Sequence, residues 1–349
     1  MLGLQCLCIY QENYKVSEVI KEVEYNDMKT LTVFTPTYNR KHTLPRTYES
    51  LCRQTCDDFD WLIIDDGSTD GTREWVESLG EKIVEKGRSF DWMGRILEEE
   101  DGSHFVIKTP QFIVEYIYKP NGGLYTGYNA AYATIKTELC VCIDSDDFMP
   151  DDAVEKIVRI WAERPIDTEY CGIVGLDFNV VDKLPIGGLF PEHLKEAYQM
   201  EISHRGDTKQ VMRTELMRRV APQVGFKGEK DYNPFYMLIR VLDQYPILIA
   251  NENFCWVEYQ IGADSMSQGI WKQYKRSPRS WAKYRINQMT LKHGNPLKNR
   301  FRLCVHYIAS CILSADKDWL RNSPLKGLTI LAIPFGLFLT LLVLWKNRK

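Results

Sequence analysis

The chain has 349 residues and a formal net charge of −3 at pH 7, long enough for one large α/β domain with appendages or for two domains. Nothing in that charge suggests a general nucleic-acid binder, so nucleic acid is not expected among its partners. The 10 cysteines lie mostly inside apolar segments with no secretory signal ahead of them; they read as reduced thiols, and the lack of CxxC spacing argues against a zinc site.

Residues 1–28 read as an N-terminal extension. MLGLQCLCIY is apolar but too short to cross a bilayer and has no basic flank; a polar stretch follows, and Met28 reads as an alternative start. The first clear strand is 31–35, LTVFT. Pro36 is expected to end its ladder, leaving Thr37, Tyr38 and Asn39 as a polar loop at the strand's carboxyl end. A helix over 44–54 follows, with apolar positions at helical spacing. A second buried strand, 61–64, ends in Asp65 and Asp66 and then in GSTDG, whose glycines permit a tight turn. Ser68, Thr69 or Asp70 is expected to cap the next helix.

Residues 81–112 are less regular and read as an excursion with an acidic, solvated run at 98–101. A third strand, 112–118, breaks at Lys119-Pro120-Asn121-Gly122-Gly123, and a helix with small residues at 127, 130, 131 and 133 resumes over 125–136. The chain is organised around what comes next. The apolar strand 139–143 runs straight into Asp144, Asp146 and Asp147. Adjacent carboxylates repel unless a cation holds them. Asp144 and Asp146, spaced by one residue, can face one hard cation such as Mg²⁺, which takes one or two protein carboxylates and fills its other positions with water and substrate phosphates. Asp151 and Asp152 suit the start of the helix that follows.

Four motifs then stand in order, each at a strand end: PTYNR at 36–40, DDGSTDGT at 65–72, KPNGGLYTGYNAA at 119–131 and IDSDD at 143–147. Together they resemble glycosyltransferase family 2 of the bacterial surface-polysaccharide type, closely over 31–161 and weakly to 286. The resemblance implies a GT-A fold, a Rossmann-like nucleotide-sugar-binding sheet with helices on both faces. It also implies inverting transfer of a sugar from a nucleotide diphosphate donor, UDP being preferred, to a hydroxyl of a lipid-linked or polysaccharide acceptor, assisted by Mn²⁺ or Mg²⁺. Carried over to this chain, Pro36, Thr37, Tyr38, Asn39, Asp65, Asp66, Asn121, Gly122, Asp144, Asp146 and Asp147 would bind the donor. Asp144 and Asp146 would hold the metal. One departure stands out: relatives carry a basic pair after NGG, and this chain has Leu124-Tyr125.

Inverting transfer needs a general base for the acceptor hydroxyl. In FKGEKDY, residues 226–232, Glu229 is the first choice and Asp231 the second, because Lys230 interrupts the family's acidic pair. Residues 256–269, with Ser265 and Ser267, resemble a loop that closes over the donor diphosphate. Residues 271–285 are basic and aromatic, suited to an anionic lipid diphosphate or a membrane surface. The charge-free run 327–345, followed by KNRK, meets the length and flank criteria for a membrane segment, and 303–313 reads as a second apolar stretch near the interface. The expected organisation is an extension (1–28), a glycosyltransferase domain (29–260, with a nucleotide-sugar half at 29–150 and an acceptor half at 151–260), a helical region (261–325) and a membrane segment with a basic tail (326–349). The catalytic domain would sit on the cytoplasmic side of the cell membrane. Two rivals are a nucleotidyltransferase and a catalytically inactive membrane partner in polysaccharide assembly.

Overall fold

Four parallel strands rich in β-branched and apolar residues form the centre of the molecule, as burial on both faces requires. The structure, a computed structural model, describes residues 29–99, 101–198, 204, 206–258 and 269–348. In chain order, β1 (Leu31–Thr37), α1 (Leu44–Cys52), β2 (Phe59–Asp65) and α2 (Thr72–Glu77) come first. They are followed by β3 (Glu81–Glu85), the short β4 (Ser89–Phe90) and β5 (Ile96–Leu97), β6 (His104–Lys108) and β7 (Ile113–Tyr118). Then come α3 (Leu124–Thr134), β8 (Leu139–Cys142), α4 (Ala153–Ala162) and β9 (Gly172–Asn179). β10 (Glu196–Ala197), β11 (Thr208–Arg213), α5 (Thr214–Val220), α6 (Phe235–Leu242) and β12 (Ile247–Val257) follow.

Among the described residues, ten strands form one sheet in the order β10-β12-β9-β11-β8-β1-β2-β7-β6-β3. β8, β1, β2 and β7 are parallel. β11 lies antiparallel beside β8, and β6 antiparallel beside β7. The chain leaves β1 towards β2 and β7, then returns to β8 on β1's other side. The order reverses at β1, so a crevice opens outside the carboxyl ends of β1, β2 and β8.

Alternation along the strands sorts the core into two layers. Val33, Trp61, Ile63 and Val141 pack with Leu51 of α1, Val76 of α2 and Ile157 of α4. Phe34, Leu62, Ile64 and Cys140 face Ala130 of α3, Leu216 of α5 and Met237 of α6. Trp61 is fully buried and donates its indole N–H to Thr35 Oγ1 at 3.0 Å; truncating such a residue to alanine costs about 3–5 kcal/mol. This α/β sheet with helices on both faces is the architecture the motifs imply.

The C-terminal part corrects the expectation of a membrane segment. It is a helical module of α7 (Ile270–Arg276), α8 (Pro278–Met289), α9 (Leu297–Leu313), α10 (Trp319–Asn322), α11 (Lys326–Leu331) and α12 (Ile333–Lys346). Among the described residues, no helix is long and apolar enough to cross a membrane. The run 327–345 breaks at Ala332, between α11 and α12 and just ahead of Pro334. The 14-residue α12 spans about 21 Å at 1.5 Å per residue, short of the roughly 30 Å of a hydrocarbon core. Its Gly336, Thr340 and Val343 are buried, and a Cβ on Gly336 would meet Ile308 of α9 at close range. The apolar stretch 303–313 lies in α9, where Leu303, Cys304, Tyr307, Ile308 and Cys311 are buried in the module's core. The extension 1–28 and the loop residues Ser265 and Ser267 lie outside the described residues.

Candidate active site

The crevice is built from loops that hold one another. β1 runs through Pro36 to Thr37 rather than stopping at residue 35. Ile143 N donates to Phe34 O, and Asp66 N donates to Thr37 O. Backbone groups therefore alternate between neighbours, and Pro36, in step with Phe34, faces the side where β8 has ended at Cys142. Its missing N–H removes no ladder bond there. Thr37 Oγ1 is buried with no hydrogen-bond partner among the described residues. Tyr38 is exposed. Asn39, in the left-handed region at φ 53°, receives Thr69 N–H on its side-chain oxygen and donates its own N–H to Ser68 Oγ, both at 2.8 Å.

The acids at the end of β2 are fully committed within the protein. Asp65 is buried, accepting from Ser68 N and Tyr116 OH, each at 2.7 Å; burial pushes its carboxyl above the usual range. Asp66 Oδ1 takes the Lys119 ammonium and Gly122 N, and Oδ2 takes Gly123 N at 2.8 Å. Asn121 Nδ2 donates to Asp66 O at 2.8 Å. Gly123 has φ +95°, and a Cβ there would overlap the backbone of Lys230, so glycine is required at this crossing. Asp66 thus clamps the KPNGG loop, and Lys119, fully buried, is the counter-ion of that clamp.

The residues after NGG, where the resemblance leads to a basic pair, take an apolar setting. Tyr125 is fully buried and packs on Tyr232, ring centroids 5.6 Å apart. Its hydroxyl has no partner among the described residues; burial first, and then Asp66 and Glu229, push it up to about 12. A cation from the 226–232 loop reaches the same segment: Lys230 Nζ donates to Asn121 Oδ1. Asn121, Gly122, Glu229 and Lys230 share the walls of a cleft of about 180 Å³ with Trp92.

The acids at the end of β8 are treated differently. Helix α1 holds their backbone: Arg46 donates to Asp146 O, and Thr47 Oγ1 to Asp147 O at 2.8 Å. Arg46 also pairs with Glu258 and lies over the Phe148 ring. The side chains remain frustrated. Asp144 is pushed up by burial, with Lys209 opposing and Asp146 reinforcing the shift. Asp147 turns inward and is pushed up to about 8, again by burial first, with Lys209 opposing. Lys209 Nζ lies 3.8 Å from both Asp147 Oδ2 and Asp177 Oδ2. Asp177, pushed up to about 6 by burial, keeps Oδ1 buried without a partner among the described residues.

Arg46, Asp177, Lys209 and Glu258 were not among the expected site residues. Lys209 was findable, because it occupies the same inward phase of β11 as the buried Val211. No three His, Cys, Asp or Glu side chains among the described residues form a ready-made metal cage. The donor set still suits a hard divalent cation that keeps water and phosphate oxygens: Asp144 and Asp146 are half-buried carboxylates at one turn, and the burial that chiefly raises Asp144, with Asp146 adding to it, is a cost a cation would offset.

The expected bases lie in one loop but face different surroundings. Glu229 lines the cleft, and both its oxygens bind the first turn of α8: Oε2 accepts Ser280 N at 2.7 Å, while Oε1 accepts Arg279 N at 3.2 Å and Arg279 Nε at 2.9 Å. Asp231 is outside the cleft lining and takes Arg276 on both oxygens, 2.7 and 3.1 Å, with Ser277 Oγ at 3.0 Å.

Comparison with known proteins agrees with this geometry. The family described as "Glycosyl transferase family 2" matches residues 32–93 and 99–219, together more than half of the chain. A putative teichuronic acid biosynthesis glycosyltransferase, TuaG, from Bacillus subtilis is 22% identical over 73% of this chain and 87% of its own length. Hyaluronan synthase from Pasteurella multocida is 28% identical over 40% of this chain; the match spans 12% of that protein. In fold, the chain is similar to S. aureus TarS 1–349 (TM-score 0.54, 14% identity, 92% of this chain and 91% of that one). It is also similar to TarS 1–349 in complex with UDP-GlcNAc (TM-score 0.52, 16% identity, 92% of each chain). With the four strand-end motifs gathered around the crevice and the family matched over most of the sheet, this chain belongs to glycosyl transferase family 2.

Proposed function

We propose that the protein transfers a sugar, with inversion, from a nucleotide diphosphate donor to an acceptor hydroxyl, and that the donor is a UDP-sugar. The carrying observation is the half-buried Asp144–Asp146 pair at the parallel-strand crevice, where burial and Asp146 push Asp144 up against the pull of Lys209, while Asp65 and Asp66 at the neighbouring strand end are matched inside the protein. TarS has been solved with UDP-GlcNAc, which names the donor class to try first. Asp144 and Asp146 would hold Mn²⁺ or Mg²⁺, and such an ion supplies charge neutralisation at the departing diphosphate. Pro36, Thr37, Tyr38 and Asn39 would border the nucleoside. Asn121, Gly122 and Lys230 would border the sugar diphosphate. Asp65, Asp66 and Asp147 would act from behind, by fixing those loops.

Glu229 is our choice of general base because it lines the cleft beside Asn121 and Gly122. Asp231 would instead hold Arg276 and Ser277, fixing the start of α8. Each carboxylate oxygen has two lone pairs and Oε2 accepts one hydrogen bond among the described residues, so Glu229 keeps a place for the hydroxyl proton, whose arrival weakens its hold on its donors. Its neighbours Arg279 and Lys230 are side chains able to follow that change. The acceptor would be a hydroxyl of a lipid-linked glycan or polysaccharide, a proposal supported by the naming of TuaG. Work at the cytoplasmic face of the cell membrane, by surface contact, belongs to the same proposal; exposed Phe335, Phe338 and Leu341 on α12 support it.

The test is release of nucleoside diphosphate from a panel of UDP-, GDP- and dTDP-sugars with Mn²⁺ or Mg²⁺, with and without oligosaccharide acceptors. Slow hydrolysis of one donor class, accelerated by acceptor and depressed in E229Q more than in D231N, is expected. Release from no donor by a folded protein would move the assignment to a non-catalytic family member.

A further inference from the structure

The helical module contains a second chamber, away from the strand-end crevice. It has a volume of about 340 Å³ and lies between α7, α8, α9 and α12, with Trp271, Leu303 and Leu339 among its apolar walls and Arg285, Arg302, Tyr274 and His306 as its polar ones. Such a volume is in the range of small-molecule sites. Its charge is one-sided. Neither Arg285 nor Arg302 has a carboxylate within ion-pair distance among the described residues. Their polar contacts are neutral: Arg302 Nη2 donates to Asn299 Oδ1 at 2.8 Å, and Arg285 donates from Nη2 to Tyr274 OH at 2.9 Å and from Nη1 to Gln288 Oε1 at 2.5 Å. Arg285 is further held over the Trp281 and Tyr284 rings, and its Nε is buried with no partner among the described residues.

The rest of the network is set to donate. Tyr274 OH, having accepted from Arg285, has its own proton for His306 Nδ1, 2.7 Å away. Burial, then Arg285 and Arg302, push the His306 imidazole down to about 4. A neutral ring that accepts at Nδ1 carries its proton on Nε2, a further donor. Two guanidiniums and an imidazole N–H, with no acid among the described lining residues, make an anion site; the apolar remainder makes it a poor site for a bare, hydrated anion. The same α12 that walls the chamber with Leu339 and Val343 exposes Phe338 and Leu341 on its other side.

We propose that this chamber binds a phosphate or diphosphate ester carried on a hydrocarbon chain, with Arg285 and Arg302 on the phosphate and the α9–α12 walls on the first methylenes. Two sources share this chemistry, the lipid carrier of an acceptor and an anionic membrane phospholipid; only the first rests on the glycosyltransferase reading.

The experiment is titration of the full chain with octyl phosphate, octyltrimethylammonium and inorganic phosphate, by calorimetry and tryptophan fluorescence. Octyl phosphate should bind at least tenfold tighter than either of the others. R285Q/R302Q should lose at least tenfold in octyl phosphate affinity with its circular dichroism unchanged. Equal binding of the ammonium amphiphile, or unchanged affinity in the double variant, overturns the site; the head-group series on the unaltered chain decides even if the variant does not fold. Farnesyl diphosphate in solution and phosphatidylglycerol vesicles then separate the sources, as whichever shows arginine-dependent binding is the one used. UDP binding measured in the same samples keeps failure of this site distinct from failure of the donor site.

Discussion

The ends of β2 and β8 look alike as sequence and differ as structure. Each is a buried strand that stops in consecutive acids. At β2 every carboxylate oxygen is spoken for: Asp65 by Ser68 and Tyr116, Asp66 by Lys119 and the amides of Gly122 and Gly123. At β8 Lys209 lies 3.8 Å from both Asp147 and Asp177 and only partly offsets the burial and the Asp146 charge that push Asp144 up. At β2 the matched acids shape their loops. An unsaturated one stores a repulsion that a ligand can release, so the β8 end is where binding energy is available.

Breaking the β2 clamp should have the largest effect, and on stability. Lys119→Met leaves Asp66 buried without its cation and should cost about 3–5 kcal/mol, read as a fall in the urea midpoint. Normal stability with lost activity would erase the distinction between the two ends. Asp146→Asn should do the reverse: sugar transfer should fall by about 10²–10³, roughly 3–4 kcal/mol of transition-state stabilisation, with Tm unchanged or raised because a like-charge contact is gone. A Tm drop as large as that of Lys119→Met would mean that the β8 acids are structural too.

The helical module sharpens the contrast, gathering Arg285, Arg302 and His306 around neutral partners where the strand ends gather acids. His306 has a folded pKa of about 4, below its unfolded value near 6.5. The unfolded chain therefore binds more protons between those values, and stability is lost as pH falls from about 6.5 towards 4, by up to about 3 kcal/mol. Denaturation at pH 7.5 and pH 5 should show His306→Gln losing less on acidification than the wild type. The smallest effect is cation-driven: Mn²⁺ at about ten times its Kd should raise wild-type stability by about 1.4 kcal/mol, and should not raise that of Asp144→Asn/Asp146→Asn.

The sheet's centre was legible because burial on both faces leaves strands almost purely apolar, and the crevice followed from polar residues clustering at their carboxyl ends. The excursion 81–112 was not, because β3 is an exposed edge strand and β4 and β5 are two residues long, too short for any period to register. The tail misled for the opposite reason. Uniform apolarity in 327–345 hides which face is buried, and only the break at Ala332 and the seating of Gly336, Thr340 and Val343 against the module show that it packs on protein. Within the site, the positions of Asp144 and Asp146 could be read directly. Their partners could not: Arg46 and Lys209 meet them only through folding, at separations of 100 residues for Arg46 to Asp146 and more than 60 for Lys209 to Asp147. The engagement of Glu229 and Asp231 with α8 is likewise a long-range event.

The most direct test of the central claim is calorimetric titration of UDP into the full chain with and without Mn²⁺, repeated with Asp146→Asn and Lys230→Ala. The account predicts Mn²⁺-dependent UDP binding that Asp146→Asn abolishes and Lys230→Ala weakens. UDP binding of equal strength in Asp146→Asn, or binding indifferent to Mn²⁺, would contradict the assignment of the β8 acids to the donor diphosphate.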